Sequence, residues 1–233
     1  DVVSDAETAD KLKAWYRQLC KRPCFHDEYL QAFNRPSTEL LDTNGKGVER
    51  ITEKGVVVDG VEYPVDCIVY ATGFEVGTDL TERTGFDTIG RGGLKLSEYW
   101  EKGMRTLHGV SVHNFPNAFR VQFAQAGNFI ANVPHNILES AKTIAMIIKH
   151  ARSNGYQTIE ASQDAEDAWQ ELLSGSVQMM ADPSCTPGYY NNEGQPLPEG
   201  ANANIGHPGG AMAYFQFIDE WRENGKFEGM DVG

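Results

Sequence analysis

Two cationic side chains, Lys21 and Arg22, stand next to each other directly before Pro23. A guanidinium is charged at every accessible pH and carries a rigid fork of donors, so in a dry pocket it can stabilise an anion as an oxyanion hole does. An ammonium is a point charge that suits a phosphate. A basic pair at a helix end is also a common surface feature, because it complements the helix dipole. The surrounding sequence has to decide between these interpretations.

The second candidate is a run of small residues, Ala71, Thr72 and Gly73, that precedes Phe74. It follows the apolar sequence of residues 67–70, and this pattern predicts a buried strand that ends in a tight turn. Any α/β protein could contain such a turn. Small residues also let the backbone approach a cofactor closely, so the turn is a candidate cofactor contact.

The third candidate is the sequence that precedes the clearest helical pattern of the chain. Asn132 is a good N-cap and Pro134 suits the first helical turn, which is sufficient to explain both residues structurally. The same helix N-terminus presents backbone amides and a partial positive charge, which suit an electron-rich ligand. The whole segment is Phe129, Ile130, Ala131, Asn132, Val133 and Pro134.

Hydrophobic spacing and turn signals predict the elements that hold these candidates. Residues 39–71 are predicted to form a β-meander, with strand cores at 56–58 and 67–70, and residues 117–123 are predicted to form another strand. The Pro- and Gly-rich residues 183–210 predict a lid or a mobile segment. Helices are predicted at 4–19, at 134–154, at 162–173 and at 213–224. The second of these helices has an apolar stripe of Ile137, Leu138, Ala141, Ile144, Ala145 and Ile148.

The composition restricts the class of protein. Of the 233 residues, 40% are hydrophobic, which is ordinary for a globular protein. The 33 acidic and 20 basic residues give a net charge of -13, which argues against a nucleic-acid partner. No apolar run reaches membrane-spanning length, so no membrane partner is expected. Four cysteines are too few for a disulfide scaffold of this size, which favours a reducing, cytoplasmic setting.

Other catalytic patterns were sought and rejected. Cys20, Cys24 and His26 have a spacing that could suggest a metal site, but no second ligand pair follows and the intervening Lys-Arg would repel a cation, so no metal is expected. The histidines lack a His-Glu-x-x-His pattern and the serines lack a Gly-x-Ser-x-Gly elbow.

The sequence around these candidates resembles the C-terminal portion of Baeyer-Villiger monooxygenases, which are class B flavin-dependent monooxygenases. The resemblance includes the strand followed by Ala71-Thr72-Gly73, the run before Pro134, and residues 159–169. Around the basic pair it consists of Lys11-Leu12, Tyr16, Cys20-Lys21-Arg22-Pro23, Tyr29 and Phe33-Asn34-Arg35.

The resemblance implies an α/β fold, namely the C-terminal portion of a two-dinucleotide-binding-domain flavoprotein that is glutathione-reductase-like. Residues 1–20 would be the tail of a helical insertion, 21–70 would complete the NADP-binding domain, and 71–233 would complete the FAD-binding domain. No Gly-x-Gly-x-x-Gly sequence and no Phe-x-Gly-x-x-x-His-x-x-x-Trp-Pro sequence is present. The expected partner is therefore the N-terminal remainder of the same enzyme.

The implied reaction is oxidation of a ketone, bulky or cyclic, to an ester or lactone with NADPH, O2 and FAD. The resemblance assigns Arg22 to the stabilisation of a C4a-peroxyflavin and Lys21 to contact with NADP. Cys185 stands where many relatives have a tryptophan, in a segment that folds over the nicotinamide cofactor. The FAD contacts implied are Ala71, Thr72, Gly73, Phe74, Asn132, Val133 and Pro134. The residues implied to line the ketone pocket are Phe129, Ile130 and Ala131.

Two alternatives remain open at this point. A related flavin monooxygenase that oxidises nitrogen or sulfur would share the Ala-Thr-Gly turn but not the Lys-Arg-Pro sequence. A non-catalytic fragment would bind neither FAD nor NADPH on its own, because the phosphate-binding glycine loops are not in this sequence.

Overall fold

The computed structural model describes residues 2–14, 16–17, 20–21, 24–72, 81, 84–127, 132–176, 185–188 and 206–233. Residue contacts divide the chain into two compact units. Unit 1 consists of residues 1–76 together with 184–186, and unit 2 consists of residues 77–183 and 187–233.

Unit 1 begins with a short helix, α1 (Ala6–Lys11), whose N-cap Asp5 accepts a hydrogen bond from the Thr8 amide. The predicted helix over 4–19 is therefore wrong in length. None of the α1 residues is buried, and short helices without tertiary packing are only marginally stable in water. A 3-10 helix follows at Leu30–Asn34.

The β-meander predicted in unit 1 is confirmed. Strands β1 (Arg50–Ile51), β2 (Gly55–Val58) and β3 (Val61–Pro64) form an antiparallel sheet in the order β1-β2-β3. The turn between β2 and β3 is Asp59-Gly60, and both residues have positive φ angles, 47° and 76°. This is the backbone conformation that a two-residue hairpin turn requires.

The strand predicted at residues 67–70 is not formed. No strand is assigned there, and Val69 and Tyr70 are 83% and 70% exposed. A buried strand needs neighbouring strands that pair with its backbone and cover its side chains. Among the described residues, the sheet of unit 1 contains only β1, β2 and β3, so it offers no such neighbour.

Unit 2 holds the longest helices of the described chain, and local signals explain where they begin and end. Asn132 caps α3 (Val133–Asn154), and Gly155 ends it with a φ of 73°. Ser162 caps α4 (Gln163–Ser174). Both helices were predicted. The last helix, predicted at 213–224, begins earlier. The elements are α2 (Leu96–Tyr99), α3 (Val133–Asn154), β4 (Ile159–Ala161), α4 (Gln163–Ser174), α5 (Gly210–Glu223) and β5 (Met230–Val232), with a 3-10 helix at Arg91–Gly93 and with β4 pairing antiparallel to β5.

Four of the six buried residues of α3 are polar, and the other two are Ile147 and Ala151. Its residues Asn136, Ser140 and Thr143 are at most 1% exposed. Glu139 pairs with Arg222 of α5 at 2.6 Å, and both residues are buried. A buried ion pair of this kind is costly to break, because the remaining charge would stay in the interior without compensation. The pair therefore fixes α3 against α5.

The apolar stripe of α3 lies mostly on its exposed face. Ile137, Leu138 and Ile148 are 40%, 50% and 40% exposed, and Ala141 and Ala145 are exposed as well. Ile144 alone among the six packs against the core of unit 2. A long helix with a continuous exposed apolar face is typical of a surface that another part of a protein covers.

The strand predicted at residues 117–123 reduces to an isolated bridge between Ser111 and Phe119. Asn117 interrupts it because its backbone is left-handed, with a φ of 59°. Its side chain accepts a hydrogen bond from the amide of Ile159 at 3.1 Å and donates one to the carbonyl of Gln157 at 3.0 Å. Side-chain contacts of Asn117 thus hold this segment beside β4 in place of a strand ladder.

The core of unit 2 contains an aromatic cage around His108. The imidazole lies edge-on to the rings of Trp221, Trp169 and Phe217, with centroid distances of 4.8, 4.9 and 5.1 Å. Burial in this apolar cage lowers the pKa of His108 to about 3. The folded protein therefore holds His108 neutral, whereas the unfolded chain binds a proton there below its ordinary pKa near 6.5.

We expect this histidine to make the folded protein acid-labile. The stability that neutral His108 contributes is complete above pH 6.5 and is lost as the pH falls towards 3, at up to about 1.4 kcal/mol per pH unit. Chemical denaturation near pH 7 and near pH 5 measures the difference in the free energy of unfolding between the two pH values. In a His108→Asn variant, whose side chain tolerates the left-handed φ of 54° at this position, that difference should shrink by about 2 kcal/mol. An unchanged difference would show that the cage does not exclude the proton.

Candidate active site

Part of the predicted site lies outside the described residues. This applies to the predicted catalytic arginine, to half of the small-residue turn and to the predicted ketone pocket. These residues are Arg22, Gly73, Phe74, Phe129, Ile130 and Ala131. Their roles stay predictions from the sequence. The described candidates are Lys21, Cys185, Ala71, Thr72, Asn132, Val133 and Pro134.

The structure joins one of the predicted residues, Cys185, to Cys20 through a disulfide bond that the sequence did not indicate. Cys185 is bonded to Cys20, which lies directly before Lys21, and the two Cα atoms are 5.2 Å apart. The expectation of reduced cysteines is therefore wrong for this pair. The ammonium of Lys21 lies 5.9 Å from the centroid of the Tyr16 ring, and the side chain is exposed. An exposed ammonium at this position suits a contact with a phosphate.

Ala71 and Thr72 continue the exposed segment that follows β3, and neither is part of a helix or strand. They belong to unit 1, as do Lys21 and Cys185. Because the side chain of Ala71 is a single methyl group, a ligand could approach the backbone of this segment closely.

The helix start predicted in unit 2 is confirmed in detail. The Asn132 side chain accepts a hydrogen bond from the His135 amide at 3.1 Å, and Pro134 occupies the first turn. Asn132 and Pro134 are exposed, and Val133 is half-buried. The positive end of the dipole of this 22-residue helix therefore faces the surface. This arrangement can stabilise negative charge on a bound group.

Four residues that the sequence did not single out, Gly127, His135, Asn136 and Phe215, hold this helix start in place. A Cβ atom on Gly127 would lie 2.4 Å from the Asn136 Oδ1 atom and 3.0 Å from the ring of Phe215, so only glycine fits there. The ring of His135 packs perpendicular to that of Phe215 at 4.6 Å. A glycine shortly before a capped helix was the one signal in the sequence that could have indicated this close packing.

These residues fit part of a flavin and nicotinamide site. The exposed N-terminus of α3 suits the electron-rich edge of a flavin ring, and Lys21 suits a nucleotide phosphate. The chain has no glycine-rich loop for either pyrophosphate. Within the described residues, no three His, Cys, Asp or Glu side chains come together as a metal site. None of the helices described has the length and apolarity needed to cross a bilayer.

Comparison with known proteins finds relatives over almost the whole chain. It is 46% identical over 239 residues to pentalenolactone D synthase of Streptomyces arenae, which covers 99% of this chain and 40% of that enzyme. It is 42% identical over 232 residues to the FAD-binding monooxygenase hmp7 of Hypomyces subiculosus, and the match covers 99% of this chain and 38% of that enzyme. A Baeyer-Villiger monooxygenase of Streptomyces coelicolor is 43% identical over 227 residues, and the match covers 96% of this chain and 37% of that enzyme. The chain thus spans about 40% of the length of the curated relatives it matches. No protein-family model matches it.

Solved structures agree with the sequence relatives. A polycyclic ketone monooxygenase from Thermothelomyces thermophila superposes with a TM-score of 0.83 at 36% identity, covering 100% of this chain and 38% of that one. A steroid monooxygenase bound to NADP superposes with a TM-score of 0.75 at 26% identity, and the match covers 99% of this chain and 42% of that one. By sequence and by fold, the chain is a homologue of Baeyer-Villiger monooxygenases and corresponds to a C-terminal portion of them.

Proposed function

We propose that the chain is part of a longer enzyme that oxidises ketones to esters or lactones. The observation that carries this proposal is the identity of 46% with pentalenolactone D synthase over 99% of the chain. Names of similar structures refer to a polycyclic ketone and a steroid, which supports a bulky or cyclic ketone as the substrate.

The cofactors proposed are FAD and NADPH. One relative is named an FAD-binding monooxygenase, and one similar structure is bound to NADP. When bound, these groups would supply the reducing equivalents and the activated oxygen that a protein side chain cannot supply. This chain would contribute the contacts to the flavin ring and to the nicotinamide nucleotide, but not the glycine-rich phosphate loops.

Each proposed contact rests on the charge or shape of a described group. Lys21 presents an exposed cation that would pair with a phosphate of NADPH. Asn132, Val133 and Pro134 form the exposed N-terminus of α3, whose partial positive charge would stabilise a reduced flavin. The small side chains of Ala71 and Thr72 would let FAD contact the backbone closely. Cys185, held beside Lys21 by the disulfide, would contact NADP.

The remaining roles rest on the sequence. Arg22 follows Lys21 directly, and its permanent charge would stabilise the negative charge that develops during oxygen transfer to the ketone. Gly73 and Phe74 would complete the flavin turn. Phe129, Ile130 and Ala131 precede the start of α3, where they would line the space in front of the flavin.

The partner proposed is the N-terminal remainder of the same enzyme. Its sheets would cover the exposed stripe of α3 and would pair with residues 67–70. Both surfaces are apolar and exposed here, and the curated relatives are about two and a half times as long as this chain. In the assembled enzyme, which would be glutathione-reductase-like and cytoplasmic, residues 21–70 would complete the NADP-binding domain and 71–233 the FAD-binding domain, after an insertion tail at 1–20.

The experiment supplies the full-length protein with FAD, NADPH, isotopically labelled O2 and a cyclic ketone. We expect an ester or lactone that contains one labelled oxygen atom, because only insertion beside the carbonyl adds oxygen there. An organic sulfide and a tertiary amine are offered in parallel. Oxidation of these two substrates with no ketone product would overturn the proposal and would assign the chain to heteroatom monooxygenases.

A further inference from the structure

The disulfide between Cys20 and Cys185 connects positions that are 165 residues apart in the sequence. Cys185 and Thr186 group with unit 1, whereas the residues that follow them group with unit 2. Cys20 is buried, at 7% exposure, and Cys185 is half-buried. The bond therefore fixes a short piece of the Pro- and Gly-rich region to the residue that precedes Lys21.

We propose that this bond is a thiol–disulfide exchange site whose state sets the affinity for the nicotinamide nucleotide. The two sulfur atoms differ in access, since Cys185 is the more exposed of the two. A small dithiol is the chemical class of reductant that this geometry admits. The second half of the inference, on nucleotide affinity, rests on the proposed function.

The exchange takes place in two steps. One thiolate of the dithiol attacks the Sγ atom of Cys185, the disulfide breaks, and Cys20 leaves as a thiolate that takes up a proton. The second thiolate of the reductant then attacks the mixed disulfide, Cys185 leaves as a thiolate and is protonated, and the reductant becomes a cyclic disulfide. Two electrons pass to the protein.

The bond affects the nucleotide site because it joins one proposed NADP contact, Cys185, to the residue that precedes the other, Lys21. With the bond closed, Cys185 is tied to Cys20, so both contacts are positioned before the nucleotide arrives. With the bond open, Cys185 is no longer tied to Cys20, so binding must also fix its position, which weakens the affinity. We therefore expect reduction to raise the dissociation constant of NADP+ by about 5-fold or more, the size of a small coupling between two sites.

The first measurement is alkylation of the full-length protein followed by peptide mapping, with and without dithiothreitol. Cys24 is an exposed thiol outside this disulfide and outside the segment proposed to pair with the remainder of the enzyme, so it should react at once and serve as the internal standard. Cys20 and Cys185 should react only after reduction, and oxidised glutathione should restore their protection. If Cys20 and Cys185 react as fast as Cys24 even after treatment with oxidised glutathione, the exchange site does not exist.

The second measurement is the dissociation constant of NADP+ for the oxidised and the reduced protein. A Cys20→Ser variant keeps Cys185 but cannot form the bond, so it should bind like the reduced protein whether or not reductant is present. A Cys67→Ser variant should retain the full response. Equal affinities in both states, with the bond demonstrated by alkylation, would overturn the effect on nucleotide affinity. Absence of NADP+ binding in both states would instead count against the proposed function, and the alkylation result would still establish the bond.

Discussion

Replacing Arg22 with alanine in the full-length enzyme should lower ketone oxygenation by roughly 100- to 1,000-fold, the loss typical for one preorganised donor to a developing oxyanion. The reduction of the flavin by NADPH should stay within a few-fold of the wild-type rate, because that step needs no anion stabilisation by the guanidinium. Stopped-flow absorbance at the flavin band measures the reduction, and quantification of the ester measures oxygenation.

Two further variants separate the chemistry of Arg22 from a general effect of charge. Arg22→Lys keeps the charge but loses the rigid fork of donors, so it should recover only part of the activity. Arg50→Ala removes an equivalent cation from β1, where the side chain is 64% exposed, and should leave both steps unchanged. Ketone oxygenation at the wild-type rate in Arg22→Ala would contradict the Baeyer-Villiger assignment of this residue.

The sequence was sufficient for elements whose signals are local. The start of α3 follows from Asn132 and Pro134, and its end follows from Gly155, because capping and a left-handed residue act within one turn of the helix. The turn between β2 and β3 follows from Asp59-Gly60 for the same reason. The confirmed helix start, where the candidate contacts Asn132, Val133 and Pro134 lie, belongs to this class.

The sequence was insufficient where a structure depends on distant residues. The apolar run at 67–70 has strand character, but a strand forms only beside another strand, and the described part of unit 1 offers none to it. Asn117 replaces a ladder with side-chain hydrogen bonds to Gln157 and Ile159, which are 40 and 42 residues away in the sequence. The bond between Cys20 and Cys185 spans 165 residues. Counting cysteines could not reveal it, since spacing does not determine pairing.

The apolar stripe of α3 raises a different question. Its spacing was predicted correctly, but most of its side chains do not face the core of unit 2. Besides Ile147 and Ala151, helix α3 buries Asn136, Ser140, Thr143 and the Glu139–Arg222 pair. A helix that buries so many polar groups while most of its apolar stripe is exposed would be unfavourable as a free surface. The proposed N-terminal remainder resolves this, because it would cover the stripe with an apolar sheet.

An Ile148→Lys variant tests that arrangement. In the full-length enzyme the new ammonium would be buried without a partner, so we expect a loss of about 3–5 kcal/mol in the free energy of unfolding and a loss of co-purifying flavin. In the 233-residue chain alone, Ile148 is 40% exposed. A charge there should change stability by no more than about 0.5 kcal/mol. Thermal denaturation and flavin absorbance of both proteins provide the measurements.

The matched control is Ser153→Lys, which adds the same charge to an exposed position of the same helix. Ser153 lies about 140° around the helix from Ile148, outside the apolar stripe. It should therefore be tolerated in the full-length enzyme as well as in the chain alone. If Ile148→Lys were equally harmless in both proteins, the stripe would be a free surface. The remainder of the enzyme would then have to contact this chain elsewhere, and the exposed segment at residues 67–70 would be the next surface to test in the same way.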